Sequence, residues 1–256
     1  MCGRCISRPA TGHMLQRRDF CAGALIGATL LARPAAAENP AASSPLVEPG
    51  LRLRDPISTG ARRVALTLDA CPGGFDSRIA TFLADNGIPA TIFLTAAWIG
   101  RNPAGLAFLL THRDLFAFEN HGARHLPAVL GTRRIYGLQV AGDLDAVRRE
   151  VSDGATAIHG ATGAQPRWYR GATGLYSPAS IEAIQAQGYA IAGYSLNADM
   201  GASLPAASVA ARIAKARDRD VIIGHLTQPN RPSGLGIIAG VRELLREGTV
   251  FAHLDA

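Results

Sequence analysis

The sequence has few cysteines, few charged residues and no apolar run long enough to cross a membrane. Its four cysteines stand at positions 2, 5, 21 and 71, and the first three fall in a segment that we expect to be removed. Cys71 alone would then remain, which excludes a disulfide within the mature chain. Charged residues make up 18% of the chain and hydrophobic residues 48%, a balance that excludes a disordered protein.

The chain also lacks a basic stripe with interleaved aromatic residues, the pattern typical of nucleic-acid-binding surfaces. Its formal net charge is +6, but five of the 26 basic residues and one of the 20 acidic residues lie in the first 37 positions. The rest of the chain therefore carries a net charge of only +2. We expect no nucleic-acid partner.

The first 37 residues have the pattern of an export signal. Arg17 and Arg18 precede an apolar run over 21–32, and three alanines at 35–37 form a small-residue cleavage pattern. An apolar run of about 12 residues is too short to span a bilayer about 30 Å thick. The paired arginines resemble a twin-arginine signal, and an ordinary secretory signal is the alternative. We predict a bacterial protein exported to the periplasm or the exterior, with no membrane span after signal removal.

Residues 38–60 are rich in proline, alanine, serine and glycine, and we predict that they form a leader. Over 61–256, short apolar runs alternate with helical patterns, which predicts a single α/β domain with a parallel sheet. Pattern alone does not separate a closed barrel from an open doubly wound sheet. In both, functional side chains belong at the carboxyl ends of the strands. Strands are predicted at 64–68, 90–94, 115–118, 189–195, 221–223 and 250–254, and a further strand is predicted to begin at 168–169.

Polar residues follow five of these predicted strands. They are Asp69, His121 with His125, Arg170, Asn197 with Asp199, and His225. Surface loops hold many polar groups by chance, but five groups in the same position relative to their strands indicate a shared site.

The sharpest local signal is the pair His121 and His125, which are four residues apart. On a helical turn both imidazoles would lie on one side and reach one cation. Zinc suits such nitrogen ligands and leaves room for a carboxylate and a water molecule. The alternative is two unrelated histidines, one capping and one exposed. The spacing alone favours that alternative, but together with Asp69 and His225 it favours a metal site.

The other strand-end residues are of types that carry hydrolytic chemistry. Asp69, directly after an apolar strand, can take a proton from water acidified by a metal ion; a turn or helix-cap role is the alternative. His225 can act as a general acid, with Asp199 as its orienting carboxylate, or be a solvated loop histidine. Arg170 can orient Asp69 through a bidentate pair, or be one of many surface arginines.

Five segments carry a resemblance when taken in chain order: 66–70 (LTLDA), 120–125 (NHGARH), 169–173 (YRGAT), 195–199 (SLNAD) and 221–225 (VIIGH). Together they resemble the motifs of the polysaccharide deacetylase family, carbohydrate esterase family 4. That family includes nodulation-type chitooligosaccharide deacetylases, chitin deacetylases and peptidoglycan N-acetylglucosamine deacetylases. The resemblance covers residues 62–254. It implies a distorted (β/α)7 barrel that removes acetyl groups from an N-acetylated oligo- or polysaccharide.

The resemblance also implies a divalent metal ion, usually zinc, held by an aspartate and two histidines. It assigns the ligands to His121 and His125, the base to Asp69 and the acid to His225. By the same resemblance Arg170 positions Asp69, Asp199 tunes His225, and a backbone N–H near Thr173 stabilises the oxyanion.

One departure from the family pattern concerns the metal. The family usually has two consecutive aspartates in its first motif, the second of which is a metal ligand, and here that place is Ala70. A methyl group binds no cation, so we predict Asp76 as the substitute ligand. Cys71 or Asp69 itself are alternatives. If no residue substitutes, the chain would be a catalytically impaired carbohydrate-binding protein on the same fold.

Overall fold

The structure, a computed structural model, describes residues 45–54 and 60–254. The predicted export signal over 1–37 and the first residues of the predicted leader lie outside this range. Over the described residues the chain forms α-helices around a curled parallel sheet, the predicted distorted (β/α)7 barrel in one α/β domain. No helix among these residues has both the length and the apolar content that crossing a membrane requires.

Short strands and seven helices make up the described part of the domain. The strands are β1 (Arg63–Ala70), β2 (Ala90–Leu94), β3 (Phe116–Asn120), β4 (Arg134–Ile135), β5 (Leu138–Gln139), β6 (Trp168–Tyr169), β7 (Ala190–Ile191), β8 (Leu196–Asn197), β9 (Val221–His225) and β10 (Val250–Ala252). The helices are α1 (Ser77–Asp85), α2 (Ala96–Arg101), α3 (Pro103–Thr111), α4 (Leu144–Thr162), α5 (Pro178–Gln185), α6 (Ala206–Ile213) and α7 (Ser233–Arg246).

The main sheet has the order β7-β6-β3-β2-β1-β9-β8, and β10 pairs with the first residues of β1. Its strand pairs are all parallel, so their carboxyl ends lie at one end of the barrel. β4 and β5 form a separate antiparallel hairpin.

Strand β1 lies at the centre of the sheet and separates the two sides of the core. Leu66, Leu68 and Ala70 belong to the large apolar cluster that the surrounding helices share. Ala65 belongs instead to a second cluster inside the barrel. Because side chains alternate along a strand, Asp69 faces the same side as Ala65, which is the interior of the barrel.

β7 lies at one edge of the sheet and β8 at the other, and only four residues, 192–195, connect them. A link of this length spans at most about 18 Å, so the sheet curls round on itself. The strand predicted over 189–195 is therefore wrong from residue 192 onward, where the chain passes from one edge of the sheet to the other. Gly193 lies in this link, and a Cβ there would come within 2.0 Å of the carbonyl oxygen of Pro49.

Residues 45–54, which belong to the predicted leader, pack against the link over 192–195 and against Tyr176. Val47 pairs with Tyr176 in an antiparallel bridge, and the Leu51 N–H donates to the Tyr194 carbonyl at 3.3 Å. Leu53 is buried in the apolar cluster inside the barrel. These residues thus contribute to the wall of the domain.

Candidate metal and catalytic site

A cavity of about 1010 Å³ opens at the carboxyl end of the strands. Asp69, Cys71, His121, His125 and His225 all line it. Its position is the one that the alternation of strands and helices predicts for a functional site.

Asp69 is held by Arg170 inside the barrel. Arg170 Nη1 donates to Asp69 Oδ1 at 2.9 Å and to Thr67 Oγ1 at 2.8 Å, and Arg170 and Asp69 are both buried. Burial, the largest single effect, raises the pKa of Asp69, but the charges of His121, Arg170 and His225 outweigh it, and the pKa is lowered. Asp69 is therefore an ionised carboxylate at neutral pH.

The remaining bonds of Arg170 fix its guanidinium in one orientation. Nε donates to the Ala192 carbonyl and Nη2 to the Gly193 carbonyl, both at 3.1 Å, and the guanidinium carbon lies 4.2 Å from the centre of the Phe93 ring. A planar fork with this many partners holds Asp69 in one rotamer. Arg170 also ties the link over 192–195 to the barrel interior.

His121 comes directly after β3, and both of its ring nitrogens have defined partners. Nδ1 donates to the Arg170 backbone carbonyl at 2.6 Å, which leaves the Nε2 lone pair free in the neutral ring. Nε2 lies 3.4 Å from Cys71 Sγ and 3.6 Å from Asp69 Oδ2. Burial, the largest effect, lowers the pKa of His121, but Asp69 and Cys71 raise it by more, and the pKa is raised.

The loop after β3 brings His125 beside His121, with ring centres 4.9 Å apart. The predicted helical turn is wrong: 121–126 form a loop, and His125 has a left-handed backbone with φ 68°. The cause is Glu150, whose Oε1 accepts hydrogen bonds from the N–H groups of Arg124 and Leu126 at 2.8 and 3.1 Å. Because these N–H groups already bind Glu150, they are not available for the hydrogen bonds of a helix.

Glu150 had no assigned role in the sequence-based prediction, although its position carries a signal. It belongs to the buried face of α4, together with Val147 and Val151, and a buried carboxylate on an apolar helix face needs a specific partner. Gly122 is required opposite it, since a Cβ at that position would lie 2.5 Å from Glu150 Oε1.

Cys71 completes a cluster with the two histidines. The ligand atoms of Cys71, His121 and His125 all lie within 4.8 Å of one another. In a tetrahedral zinc site, bonds of about 2.0–2.3 Å place neighbouring ligand atoms roughly 3.3–3.7 Å apart, and the separation of Cys71 Sγ from His121 Nε2 falls in that range. Burial, the largest effect, raises the thiol pKa of Cys71, but His121 and the neighbouring hydrogen bonds lower it well below its ordinary value. These three residues therefore fit a divalent cation.

The structure does not bring Asp76, the predicted substitute ligand, into this cluster. Asp76 caps the N-terminus of α1, where Oδ1 accepts from the Arg78 N–H. Its two oxygens also bind the Arg78 guanidinium, at 2.8 and 2.6 Å. Because both of its oxygens bind Arg78, Asp76 serves as the cap of the helix. It does not line the cavity.

His225 ends β9 and lies opposite Asp69 in the pairing of β1 with β9. Its Nδ1 donates to Asp199 Oδ1 at 2.8 Å, and its backbone N–H donates to Asp199 Oδ2 at 2.9 Å. Burial, the largest effect, lowers the pKa of His225, but Asp199 and Cys71 raise it well above its ordinary value. With Nδ1 bound to Asp199, Nε2 is the nitrogen available to a ligand.

The rim of the cavity carries exposed side chains. Tyr136, on the β4–β5 hairpin, is 83% exposed, and Met200 is 51% exposed. Asn197, the remaining predicted strand-end residue, lines the cavity and accepts the Met200 N–H at 2.9 Å. Glu48 from the described leader also lines it.

Residues 57–192 match a family model described as "Polysaccharide deacetylase". The matched stretch contains Asp69, Cys71, His121, His125 and Arg170. No curated protein sequence matches the chain significantly.

Solved structures of carbohydrate esterase family 4 proteins share the fold. An acetyl xylan esterase from Clostridium thermocellum, in complex with a cobalt ion, superposes with a TM-score of 0.62 at 22% identity over 75% of this chain and 88% of that one. The Bc1960 peptidoglycan N-acetylglucosamine deacetylase gives 0.63 at 18% identity, over 76% and 87%. A family pseudoenzyme from Bacillus anthracis gives 0.60 at 16% identity; the match covers 76% of this chain and 64% of the pseudoenzyme's length.

Proposed function

Since this chain belongs to the polysaccharide deacetylase family, we propose that it is a metal-dependent hydrolase that removes acetyl groups from N-acetylated carbohydrate. One observation carries the proposal. A cluster of three metal-ligand side chains, Cys71, His121 and His125, lines the same cavity as an ionised carboxylate, Asp69, and a carboxylate-bound imidazole, His225. A base and an acid beside a cation site are the groups that amide hydrolysis needs.

In this mechanism Asp69 accepts the proton of the attacking water. Its lowered pKa keeps it ionised, and Arg170 holds its orientation. His225 donates a proton from Nε2 to the departing amine nitrogen while Asp199 stabilises the charged imidazolium. A divalent cation bound by His121 and His125 would supply Lewis acidity toward the acetyl carbonyl and would acidify a water molecule. Acetate and the free amine are the products.

We assign the oxyanion contact to the backbone N–H of Thr173. Thr173 lines the cavity and has a left-handed backbone with φ 71° inside the short 3₁₀ segment Ala172–Gly174. A backbone donor held in this way stabilises the tetrahedral oxyanion without reorganising during the reaction.

The cavity volume and its rim support a carbohydrate as the substrate. About 1010 Å³ lies at the upper end of the range typical of small-molecule sites. The exposed Tyr136 and Met200 offer apolar surfaces that can pack against the face of a sugar ring.

Acetate release tests the proposal. The purified protein, supplied with zinc, is incubated with acetylated chito-oligosaccharides and with peptidoglycan fragments, with and without a chelator. We expect release that stops with the chelator and returns with added zinc. Asp69→Asn should lower the rate by about 10²–10⁴-fold with the bound metal retained, whereas exposed Asp153→Asn should have no effect. Absence of release from every acetylated glycan, with metal bound, would reject the activity.

A second candidate is a carbohydrate-binding protein that has lost catalysis. Ala70, at the place of the family's second aspartate, favours it, and one of the similar structures is described as a pseudoenzyme. Retained binding of chito-oligosaccharides without bound metal and without acetate release would select this candidate.

We also propose export as the setting of this activity. The paired arginines, the apolar run and the alanines in residues 1–37 support it. Fusion of residues 1–37 to a reporter, with the two arginines changed to lysine as the comparison, tests it.

A further inference from the structure

We propose that Cys71 replaces the missing carboxylate at position 70 as the third protein ligand, which gives a Cys–His–His metal site. The presence of a resident metal rests on the proposed function, but the ligand assignment is testable without any glycan. A thiolate in this position would distinguish the site from one built on an aspartate and two histidines.

The direction of β1 explains why position 71, and not 70, supplies the ligand. Ala70 is buried in the apolar cluster between the sheet and the helices, and it pairs with Leu94 of β2. Cys71, one residue further, continues the alternation on the side of Asp69 and lines the cavity. A side chain placed at 70 by this backbone points toward the helices.

His121 has the geometry of a metal ligand whose second ring nitrogen is already hydrogen-bonded to the protein. Ligand histidines usually donate their second ring N–H to a carbonyl or carboxylate, which fixes the tautomer. Here Nδ1 donates to the Arg170 carbonyl at 2.6 Å, and Nε2 is directed at Cys71 Sγ, 3.4 Å away. The Glu150 carboxylate, through the loop N–H groups, holds His125 in the same cluster.

A thiol nucleophile activated by His225 is the competing assignment for Cys71, because Cys71 also contacts His225. Two facts favour the ligand. The cluster contains two further imidazoles that a nucleophile does not need, and Asp69 is already placed to activate water. Thiolate and imidazole together suit zinc, whereas carboxylates also suit harder ions such as manganese.

Cobalt binding to the metal-free full chain tests the assignment. We expect one cobalt ion to give a thiolate-to-cobalt charge-transfer band in the near ultraviolet. The band should be lost in Cys71→Ser and kept in Asp76→Asn, which alters the ligand that the sequence predicted. Zinc affinity, measured by competition with a chromophoric chelator, should fall at least about tenfold in Cys71→Ser.

Cys71→Asp separates loss of the ligand from loss of the fold. This variant should bind metal without the charge-transfer band and should narrow the preference for zinc over manganese. Wild-type zinc affinity in Cys71→Ser, or one bound cobalt ion without the band in the unaltered protein, would overturn the assignment. Failure of acetate release from all glycans would reject the proposed activity and leave the ligand assignment standing.

Discussion

Arg170 donates a hydrogen bond from Nη1 to Oδ1 of Asp69 at 2.9 Å, and both side chains are buried. The same residue receives the Nδ1–H of His121 on its backbone carbonyl at 2.6 Å. Arg170, which directly follows β6, thus orients both the proposed base and a proposed metal ligand. This double role makes Arg170 important for stability as well as for activity.

We expect Arg170→Met to lower the free energy of unfolding by about 3–5 kcal/mol, because it leaves the buried charge of Asp69 without its partner. The carbonyls of Ala192 and Gly193 also lose their donors. Urea unfolding measures the loss. Arg242→Met is the matched control, since Arg242 also lies over a phenylalanine ring, at 5.2 Å, but is exposed. Equal stability losses in the two variants would contradict the prediction.

Much of the barrel could be predicted from the sequence because its strands are short apolar runs that alternate with helices. The predicted strand at 90–94 has the bounds of β2, and the strand predicted to begin at 168–169 is β6. Helix α3 had no predicted counterpart, because its sequence, PAGLAFLLT, is apolar on all sides and shows no helical period.

The site residues at strand ends were accessible to sequence reasoning because parallel strands bring their carboxyl ends together. The backbone at His125 was not, since its loop conformation depends on Glu150, which lies 25 residues further along the chain. The placement of Asp76 outside the cluster has a local reason: an aspartate two residues before an arginine, at the start of a helix, is a cap that binds its own neighbour.

Glu150 is predicted to position the loop that carries His125. Glu150→Ala removes the acceptor of the Arg124 and Leu126 N–H groups, and we expect zinc affinity to fall about 10–100-fold. Glu150→Gln keeps an acceptor oxygen and should restore most of the affinity. Chelator competition gives the zinc dissociation constants, with exposed Glu182→Ala as the control. Equal affinities in the alanine and glutamine variants would show that the hydrogen bonds to the loop do not act on the metal site.

Asp199 is predicted to act on His225 without affecting the metal. In Asp199→Asn the neutral amide no longer stabilises the imidazolium and can itself donate to Nδ1, so the doubly protonated ring that serves as the acid is disfavoured. We expect kcat for acetate release to fall by about 10²–10⁴-fold with unchanged zinc content. Steady-state kinetics with metal analysis checks both, and a variant that loses zinc in parallel with activity would contradict the separation of roles.

Glu119 is predicted to make the stability of the protein depend on pH. Its carboxylate is buried between β3 and β6, where Oε2 accepts the N–H groups of Arg167 and Trp168, both at 2.8 Å. Burial is the largest effect, and it raises the pKa of Glu119 from 4.5 to about 7. Between these two values the folded protein keeps a proton that the unfolded chain has released, so the free energy of unfolding falls as the pH rises.

The fall attributable to Glu119 should be on the order of 1–3 kcal/mol between pH 4.5 and 7, and it should level off above pH 7 because both states are then ionised. Glu119→Gln removes this titration and keeps an acceptor for the backbone N–H groups. Urea unfolding from pH 5 to 8 should therefore show the variant gaining stability relative to the unaltered protein as the pH rises. Exposed Glu182→Gln should give a curve parallel to that of the unaltered protein. A parallel curve for Glu119→Gln as well would mean that Glu119 is ionised in the folded protein throughout this range.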